Sequence, residues 1–178
     1  MEHYPNLDGL LYLYRDVWPR VRHVHPNVKL IVAGGGTREE LQRAAPDTLA
    51  RMERDATVEI AGFIPDLDAE IDRSAAMAAP LRLGSGIRNK VIEAMAAGLP
   101  VITTRLGAEG IAVESGRQLL VADDPDSFAR DLVRILKDPH LQERLSKAGR
   151  EVVARDHDND RVVARLEMAL LRAMGDRA

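Results

Sequence analysis

Short apolar runs alternate with amphipathic segments along this chain, and that alternation restricts its fold more than any other feature. Segment 6–24 has apolar residues every three or four positions, which predicts a helix. The run "VKLIVAGGG" at 28–36 predicts a buried strand that enters a glycine turn. The alternation continues with predicted strands at 57–63, 75–80, 99–104 and 118–123, and with predicted helices at 38–44, 65–74, 86–97, 124–138, 139–156 and 158–174.

Most of the predicted strands are continuous apolar runs, which is typical of a parallel sheet covered by helices on both faces. We therefore predict an α/β fold with a doubly wound, Rossmann-like parallel sheet and a helical C-terminal end. The 178 residues fit a single domain, 1–178. Because such a fold usually opens with a strand and this chain opens with a helix, we expect a fragment that lacks its first strand.

Composition restricts the classes of partner. The formal net charge is −3, so the sequence gives no electrostatic case for nucleic acid. There is no cysteine, and no apolar run approaches the roughly 20 residues that cross a bilayer. The opening "MEHYPNLDGL" has no signal-peptide pattern. We expect a cytoplasmic protein, and contact with the inner face of the membrane through another domain stays open.

The segment "PLRLGSGIRNKVIEAMAAGLPVIT" at 80–103 carries the strongest functional signal. Gly84, Ser85 and Gly86 separate a predicted strand from a predicted helix, where free N–H groups and the helix dipole favour an anion. Arg88 and Lys90 fall in the predicted first helical turn, where cations are disfavoured unless an anion compensates them. This pattern favours phosphate, and the alternative is that both cations simply face solvent.

Two more charged residues flank this segment. Arg82 adds a cation before the glycines. Glu93 follows Lys90 by three residues, so the spacing permits either an exposed ion pair with Lys90 or a carboxylate that binds ribose hydroxyls. The spacing alone leaves both interpretations open.

Two weaker candidates follow the first two predicted strands. Gly34 and Gly35 belong to "VAGGGT", which is either a sugar or phosphate loop or a plain tight turn. Phe63, followed by Ile64, stands at a strand end where a base could stack. The histidines are not arranged as metal ligands, and no GxSxG elbow occurs. The sequence therefore predicts no metal, no cofactor and no catalytic residue that can be assigned with certainty.

The chain resembles a known protein family in several of its segments. Several stretches of the chain are similar to successive segments of one domain. They are "GSGIRNKVIEAMAAGLPVITT" with "LGAEGI", "LDGLLYLYRDVWPRVRHVHPNVKLIVAGGG", "VEIAGFIPDLDAEI" and "LLVADDPDSFARDLVRILKDPHLQERLSKAGREVV". That domain is the donor-binding, C-terminal half of the GT-B fold in family-four retaining glycosyltransferases. The resemblance covers almost the whole chain.

The resemblance implies roles for several residues. Glu93 matches the second glutamate of the family's E-x7-E pattern, which binds the ribose hydroxyls. Ser85 stands where the first glutamate would be, so the usual contact to the donor sugar is altered. Gly86 and Ile87 match positions whose backbone amides face the phosphates and the sugar.

The strand-end candidates also have counterparts in the family. Phe63 and Ile64 match the segment whose backbone reads the base, and Gly34 and Gly35 match a turn near the donor. The family's usual Arg/Lys pair after the first strand has no match here. We expect Arg88 and Lys90 to supply the charge for the diphosphate instead.

The resemblance implies transfer of a sugar from a nucleotide-diphosphate donor to an acceptor with retention and without metal, in polysaccharide or glycoconjugate assembly. An N-terminal acceptor domain of the same enzyme would complete the active site, so the isolated domain is expected to be inactive. One alternative is a non-catalytic nucleotide-binding or scaffolding module derived from such an enzyme. A response-regulator-like or dinucleotide-binding domain is another, disfavoured because no GxGxxG opens the fold.

Overall fold

The computed structural model of the protein describes residues 4–86, 88–157 and 168, and its strands alternate with helices. The strands are β1 (Leu30–Ala33), β2 (Val58–Gly62), β3 (Met77–Ala79), β4 (Val101–Thr103) and β5 (Leu120–Val121). The helices are α1 (Tyr4–Tyr12), α2 (Trp18–Val24), α3 (Thr37–Ala44), α4 (Pro46–Arg54), α5 (Leu67–Arg73), α6 (Asn89–Ala97), α7 (Pro125–Lys137) and α8 (Pro139–Asp156). A π-helical turn, Leu13–Val17, joins α1 to α2.

All paired strands are parallel, as predicted. β1 pairs with β2, and a second sheet has the order β3-β4-β5. Parallel pairing brings the carboxyl ends of neighbouring strands to the same edge of each sheet, which is where ligands bind in folds of this class. The described architecture is therefore a Rossmann-like α/β fold whose strands lie in two sheets.

The middle strand β4 shows why its sequence is apolar throughout. Val101, Ile102 and Thr103 are completely buried. Ile102 packs in a cluster with Phe128 of α7, whereas Val101 packs in a cluster with Met95 of α6. Because successive strand residues point to opposite faces, helices must cover both faces of this sheet.

Helix α3 begins at Thr37, one residue earlier than predicted, and Gly36, with φ +78°, holds the cap position. Helix α4, which begins with Pro46 at its first position, was not predicted at all. The predicted helix 158–174 lies outside the described residues, apart from the helical Met168.

Candidate functional site

The loop that follows β3, residues 80–86 and 88, carries most of the predicted site and is called here the β3 loop. Its start is fixed by two buried hydroxyls from the end of β4. Thr103 donates a hydrogen bond to the carbonyl of Ala79 at 2.6 Å, and Thr104 donates one to the carbonyl of Leu81. The Thr104 hydroxyl also accepts the Gly107 amide at 3.0 Å. These bonds attach the β3 loop to the neighbouring strand.

Helix α6 begins later than the sequence predicted. The expected start was Gly86, but the first helical residue is Asn89, and Arg88 holds the cap position. Gly86 has φ +83°, a left-handed conformation that cannot continue a right-handed helix. Only Lys90 of the two cations therefore lies in the first helical turn, and Ser85 and Gly86 are exposed before it.

The guanidinium of Arg88 lies against the backbone of Gly84. A Cβ added at Gly84 would approach Arg88 Nη1 to 3.2 Å, and Gly84 has φ +102°. Arg88 Nη1 donates to the carbonyl of Ser85 at 2.8 Å. Its Nε and Nη2 are buried and have no hydrogen-bond partner among the described residues. Since a buried unpaired donor costs about 1–3 kcal/mol, and more when charged, this group is ready for an anionic acceptor.

Arg82 is already engaged by helix α1. Its Nε and Nη2 donate to the two carboxylate oxygens of Asp8 at 3.0 and 2.6 Å. The same guanidinium lies 4.6 Å from the ring centroid of Tyr12. The hydrogen bond with Asp8 is the main reason why the pKa of Arg82 is raised. The charge of Arg82 is therefore balanced within the chain.

Lys90 also contacts helix α1, through a neutral group. Its Nζ donates a hydrogen bond to Oδ1 of Asn6. Burial, and then the nearby charge of Arg88, lower the pKa of Lys90. The ion pair between Lys90 and Glu93 that the spacing permitted is not formed among the described residues, and Glu93 is exposed. The carboxylate of Glu93 is thus free to meet a ligand.

The second group of predicted residues lies at the ends of β1 and β2. The amide of Gly34 donates to the carbonyl of Gly62 at 2.7 Å, which joins the two strand ends. The Gly34 carbonyl accepts the Thr37 hydroxyl at 2.8 Å. Gly35 is exposed, and a Cβ there would meet nothing within 4 Å. Phe63 is 78% exposed, an unusual position for a phenylalanine, and Ile64 is half-buried.

The structure thus brings the predicted residues into two groups at strand ends: Gly34, Gly35, Phe63 and Ile64, and then Arg82, Ser85, Gly86, Arg88, Lys90 and Glu93. Ile87 lies outside the described residues. Sequence reasoning missed Asn6, Asp8, Thr103 and Thr104. The one available signal was that Asn6 and Asp8 are polar residues at the start of an otherwise apolar helix, which does not distinguish a contact from a solvated face.

A cavity of about 560 Å³ lies away from this site, between α2 and α4. Arg22, Arg51 and Asp55 are among its lining residues. The two arginines stand in the last turns of α2 and α4, where the helix dipole favours cations, and Arg22 pairs with Asp55 at 2.8 Å. Helix electrostatics therefore accounts for the charges of this cluster, in which Nε of Arg22 is buried without a hydrogen-bond partner among the described residues.

No group of three or more His, Cys, Asp or Glu within the described ranges is placed to hold a metal ion. None of the helices described is both long and apolar enough to span a membrane.

The parallel α/β architecture and the cation-bearing loop at a strand end define a Rossmann-like domain with a site suited to anions. The chain belongs to the glycosyl transferases group 1 family, whose profile matches residues 1–138. The resemblance predicted from the sequence is thereby confirmed at the level of the family and the fold.

Individual relatives agree with this assignment. Phosphatidyl-myo-inositol mannosyltransferase from Mycobacterium leprae is 32% identical over 143 residues, which are 79% of this chain and 37% of that protein. Glycogen synthase from Mycobacterium tuberculosis is 28% identical over 149 residues, 79% of this chain and 34% of that protein. The chain thus spans little more than a third of either relative.

Solved structures share the fold. HepE from Anabaena, crystallised with UDP-glucose, superposes with a TM-score of 0.68 at 16% identity, over 93% of this chain and 45% of that one. At this identity the similarity establishes the common fold.

Proposed function

We propose that this chain binds the nucleotide-diphosphate sugar donor of a retaining glycosyltransferase at the β3 loop. The observation that carries the proposal is Arg88, which offers two buried and unpaired donors beside a glycine backbone. Lys90 adds a second cation in the first turn of α6, where its charge is uncompensated by any carboxylate among the described residues. A diphosphate would satisfy both groups.

The chain offers candidate partners for the remaining parts of a donor. Exposed Glu93 would accept hydrogen bonds from the ribose hydroxyls, and exposed Phe63 would lie against the base. Ser85 and Gly86 would present the β3 loop backbone to the phosphates and the sugar. The presence of UDP-glucose in the crystal structure of HepE, which has the same fold, supports a donor of this class.

The transfer reaction needs more than these residues. We propose that an N-terminal domain of the same enzyme supplies the acceptor site, so this chain alone would hold the donor without transferring its sugar. The share of the mannosyltransferase and glycogen synthase relatives that the chain spans supports such a larger enzyme. Their names also support an acceptor in polysaccharide or glycolipid assembly.

The test is calorimetric titration of the 178-residue chain with UDP and GDP, each with and without its sugar. We expect saturable binding of one nucleotide. Removing an ionic hydrogen bond costs about 1.5–3 kcal/mol, so Arg88→Ala and Lys90→Ala should each weaken it by about tenfold or more. Glu93→Ala should weaken it less. Binding that Lys90→Ala and Glu93→Ala both leave unchanged would refute the assigned site.

A non-catalytic, nucleotide-binding or scaffolding module is the second candidate, and Ser85 is the observation that favours it. A serine hydroxyl cannot replace the charge of the carboxylate that the family places there. The two candidates differ in the full-length protein, because an enzyme requires an acceptor domain and measurable sugar transfer. Transfer assays on the full-length protein, with Ser85→Glu as a comparison, distinguish them.

A further inference from the structure

Helix α1 holds two of the site's cations through two residues of its first turns. Asp8 binds Arg82 with both carboxylate oxygens, at 2.6 and 3.0 Å. Asn6 accepts a hydrogen bond from Lys90. The two contacts bridge 74 and 84 positions of the chain, respectively, so they connect α1 to the β3 loop and to the start of α6.

Asp8 is charged and Asn6 is neutral, and this difference decides which of the two cations is available to bind an anion. A carboxylate cancels the charge of the cation that it binds, whereas an amide oxygen orients a cation and leaves its charge intact. Arg82 is therefore balanced by Asp8 and further covered by the ring of Tyr12. Lys90 is held by a neutral group, so no carboxylate among the described residues balances its charge.

We propose that Asn6 is the positioning residue that holds Lys90 for the donor diphosphate, and that Asp8 withdraws Arg82 from that role. This inference rests on the proposed function, because it needs a diphosphate at the β3 loop. It divides the three cations into a structural one, Arg82, and two that bind ligand, Arg88 and Lys90.

The position of helix α1 is fixed independently of these side chains. A Cβ added at Gly9 would come within 2.9 Å of the Pro80 carbonyl oxygen, so the helix backbone touches the start of the β3 loop. Gly9 is buried in the helix that also carries Asn6 and Asp8. The amide of Asn6 is consequently held at a set distance from the loop.

The charged groups around Lys90 define what a change at Asn6 should do. Arg88 and burial lower the pKa of Lys90. Asp8, the nearest carboxylate on α1, is engaged by Arg82, and Glu93 on α6 makes no ion pair with Lys90 among the described residues. Asn6→Asp would place a negative charge beside the ammonium and raise its pKa, whereas Asn6→Ala would remove an acceptor and lower it.

The experiment combines two measurements on the 178-residue chain. The affinity for UDP and GDP is measured by calorimetry at neutral pH. The pKa of Lys90 is measured without nucleotide, by NMR of lysines labelled at the ε-carbon. The chain has only four lysines, at positions 29, 90, 137 and 147, and Lys90→Arg assigns the signal. Asn27→Asp, in an exposed turn, is the matched control for the change in net charge.

We expect Asn6→Asp to weaken nucleotide binding about tenfold, Asn6→Ala about threefold and Asn27→Asp not at all, since charge-assisted contacts are worth more than neutral ones. The pKa of Lys90 should move up in Asn6→Asp and down in Asn6→Ala. Opposite shifts require that residue 6 contacts Lys90, and a parallel loss of nucleotide affinity requires that this contact serves binding. Arg82→Lys should lose the two-pronged contact with Asp8 but leave the affinity within about twofold, because on this proposal residue 82 does not bind the diphosphate.

The outcomes separate this inference from the proposed function. If the unmodified chain binds neither nucleotide, both are overturned. If Lys90→Ala weakens binding but the Asn6 variants match Asn27→Asp, the role of Asn6 is wrong and the donor site stands. If Arg82→Lys weakens binding as strongly as Lys90→Ala does, the withdrawal of Arg82 is wrong.

Discussion

Two glycine-rich turns follow strands of this protein, and they differ in how their polar groups are used. In the β1 turn, residues 34–36, the amide of Gly34 donates to the carbonyl of Gly62, and the carbonyl of Gly34 accepts the Thr37 hydroxyl. Helix α3 begins directly after Gly36. In the β3 loop, the helix begins only at Asn89, and Arg88 keeps two buried donors unpaired. The first turn is closed by its own hydrogen bonds, and the second is open to a ligand.

The difference shows that glycine content alone does not indicate a phosphate site. Both turns contain glycines with positive φ, at Gly34 and Gly36 in one and at Gly84 and Gly86 in the other. Glycine supplies the backbone conformation in both cases, but only the β3 loop combines it with uncompensated cations. We therefore expect the β1 turn to matter for stability and the β3 loop for ligand binding.

The largest expected effect comes from disturbing the support of the β3 loop. A Cβ added at Gly107 would lie 1.9 Å from Thr103 Oγ1, whose hydroxyl holds the end of β3. Because both groups are buried, Gly107→Ala should lower the free energy of unfolding by about 3 kcal/mol. Urea denaturation measures this.

Gly35→Ala is the matched control, since a Cβ there meets nothing within 4 Å. It should cost under about 0.5 kcal/mol, as substitutions at open surface positions do. Equal losses in the two variants would show that the β4 hydroxyls do not support the loop.

Most of the contacts that distinguish the two turns could not be predicted from the sequence. Apolar runs located the strands, and the glycines, cations and Glu93 located the β3 loop, because these signals are local. The contacts of Arg82 and Lys90 with Asp8 and Asn6 are not local, since they join residues 74 and 84 positions apart. The predicted start of α6 at residue 86 was wrong, because the φ of Gly86 depends on the folded loop and not on helix propensity.

Removing the unpaired donors of the β3 loop is expected to give the next largest effect. Arg88→Ala should weaken nucleotide binding by about 30-fold, which corresponds to about 2 kcal/mol for an ionic hydrogen-bonded contact. The thermal stability of this variant should change little, because Nε and Nη2 of Arg88 have no partner among the described residues and the side chain loses only the hydrogen bond from Nη1 to the Ser85 carbonyl. Calorimetric titration and thermal unfolding measure the two quantities.

Arg88→Lys sharpens this prediction, since it keeps the charge and removes the planar fork of donors. An intermediate loss of affinity is expected. If Arg88→Ala unfolds the chain instead, the guanidinium is structural and the two turns do not differ as described.

A smaller effect is expected from a matched pair of glycines, one in each turn. Gly36 has φ +78° and Gly86 has φ +83°, and a Cβ at either would meet nothing within 4 Å. Gly36→Ala should cost about 1 kcal/mol of stability, because the start of α3 fixes the strained conformation, and should leave nucleotide affinity unchanged. Gly86→Ala should cost less stability and weaken nucleotide binding a few-fold. Identical behaviour of the two variants in both assays would remove the distinction between the turns.

The smallest expected effect is that of removing divalent metal ions. Arg88 and Lys90 carry two positive charges at the β3 loop, enough to compensate the charge of a sugar-linked diphosphate without a metal bridge. Affinity for the nucleotide sugar should therefore stay within about twofold when EDTA replaces Mg²⁺ in the titration. A tenfold loss that Mg²⁺ restores would mean that a metal supplies part of the charge. The β3 loop would then bind the diphosphate together with a metal ion, and Nε and Nη2 of Arg88 would not be sufficient to hold it.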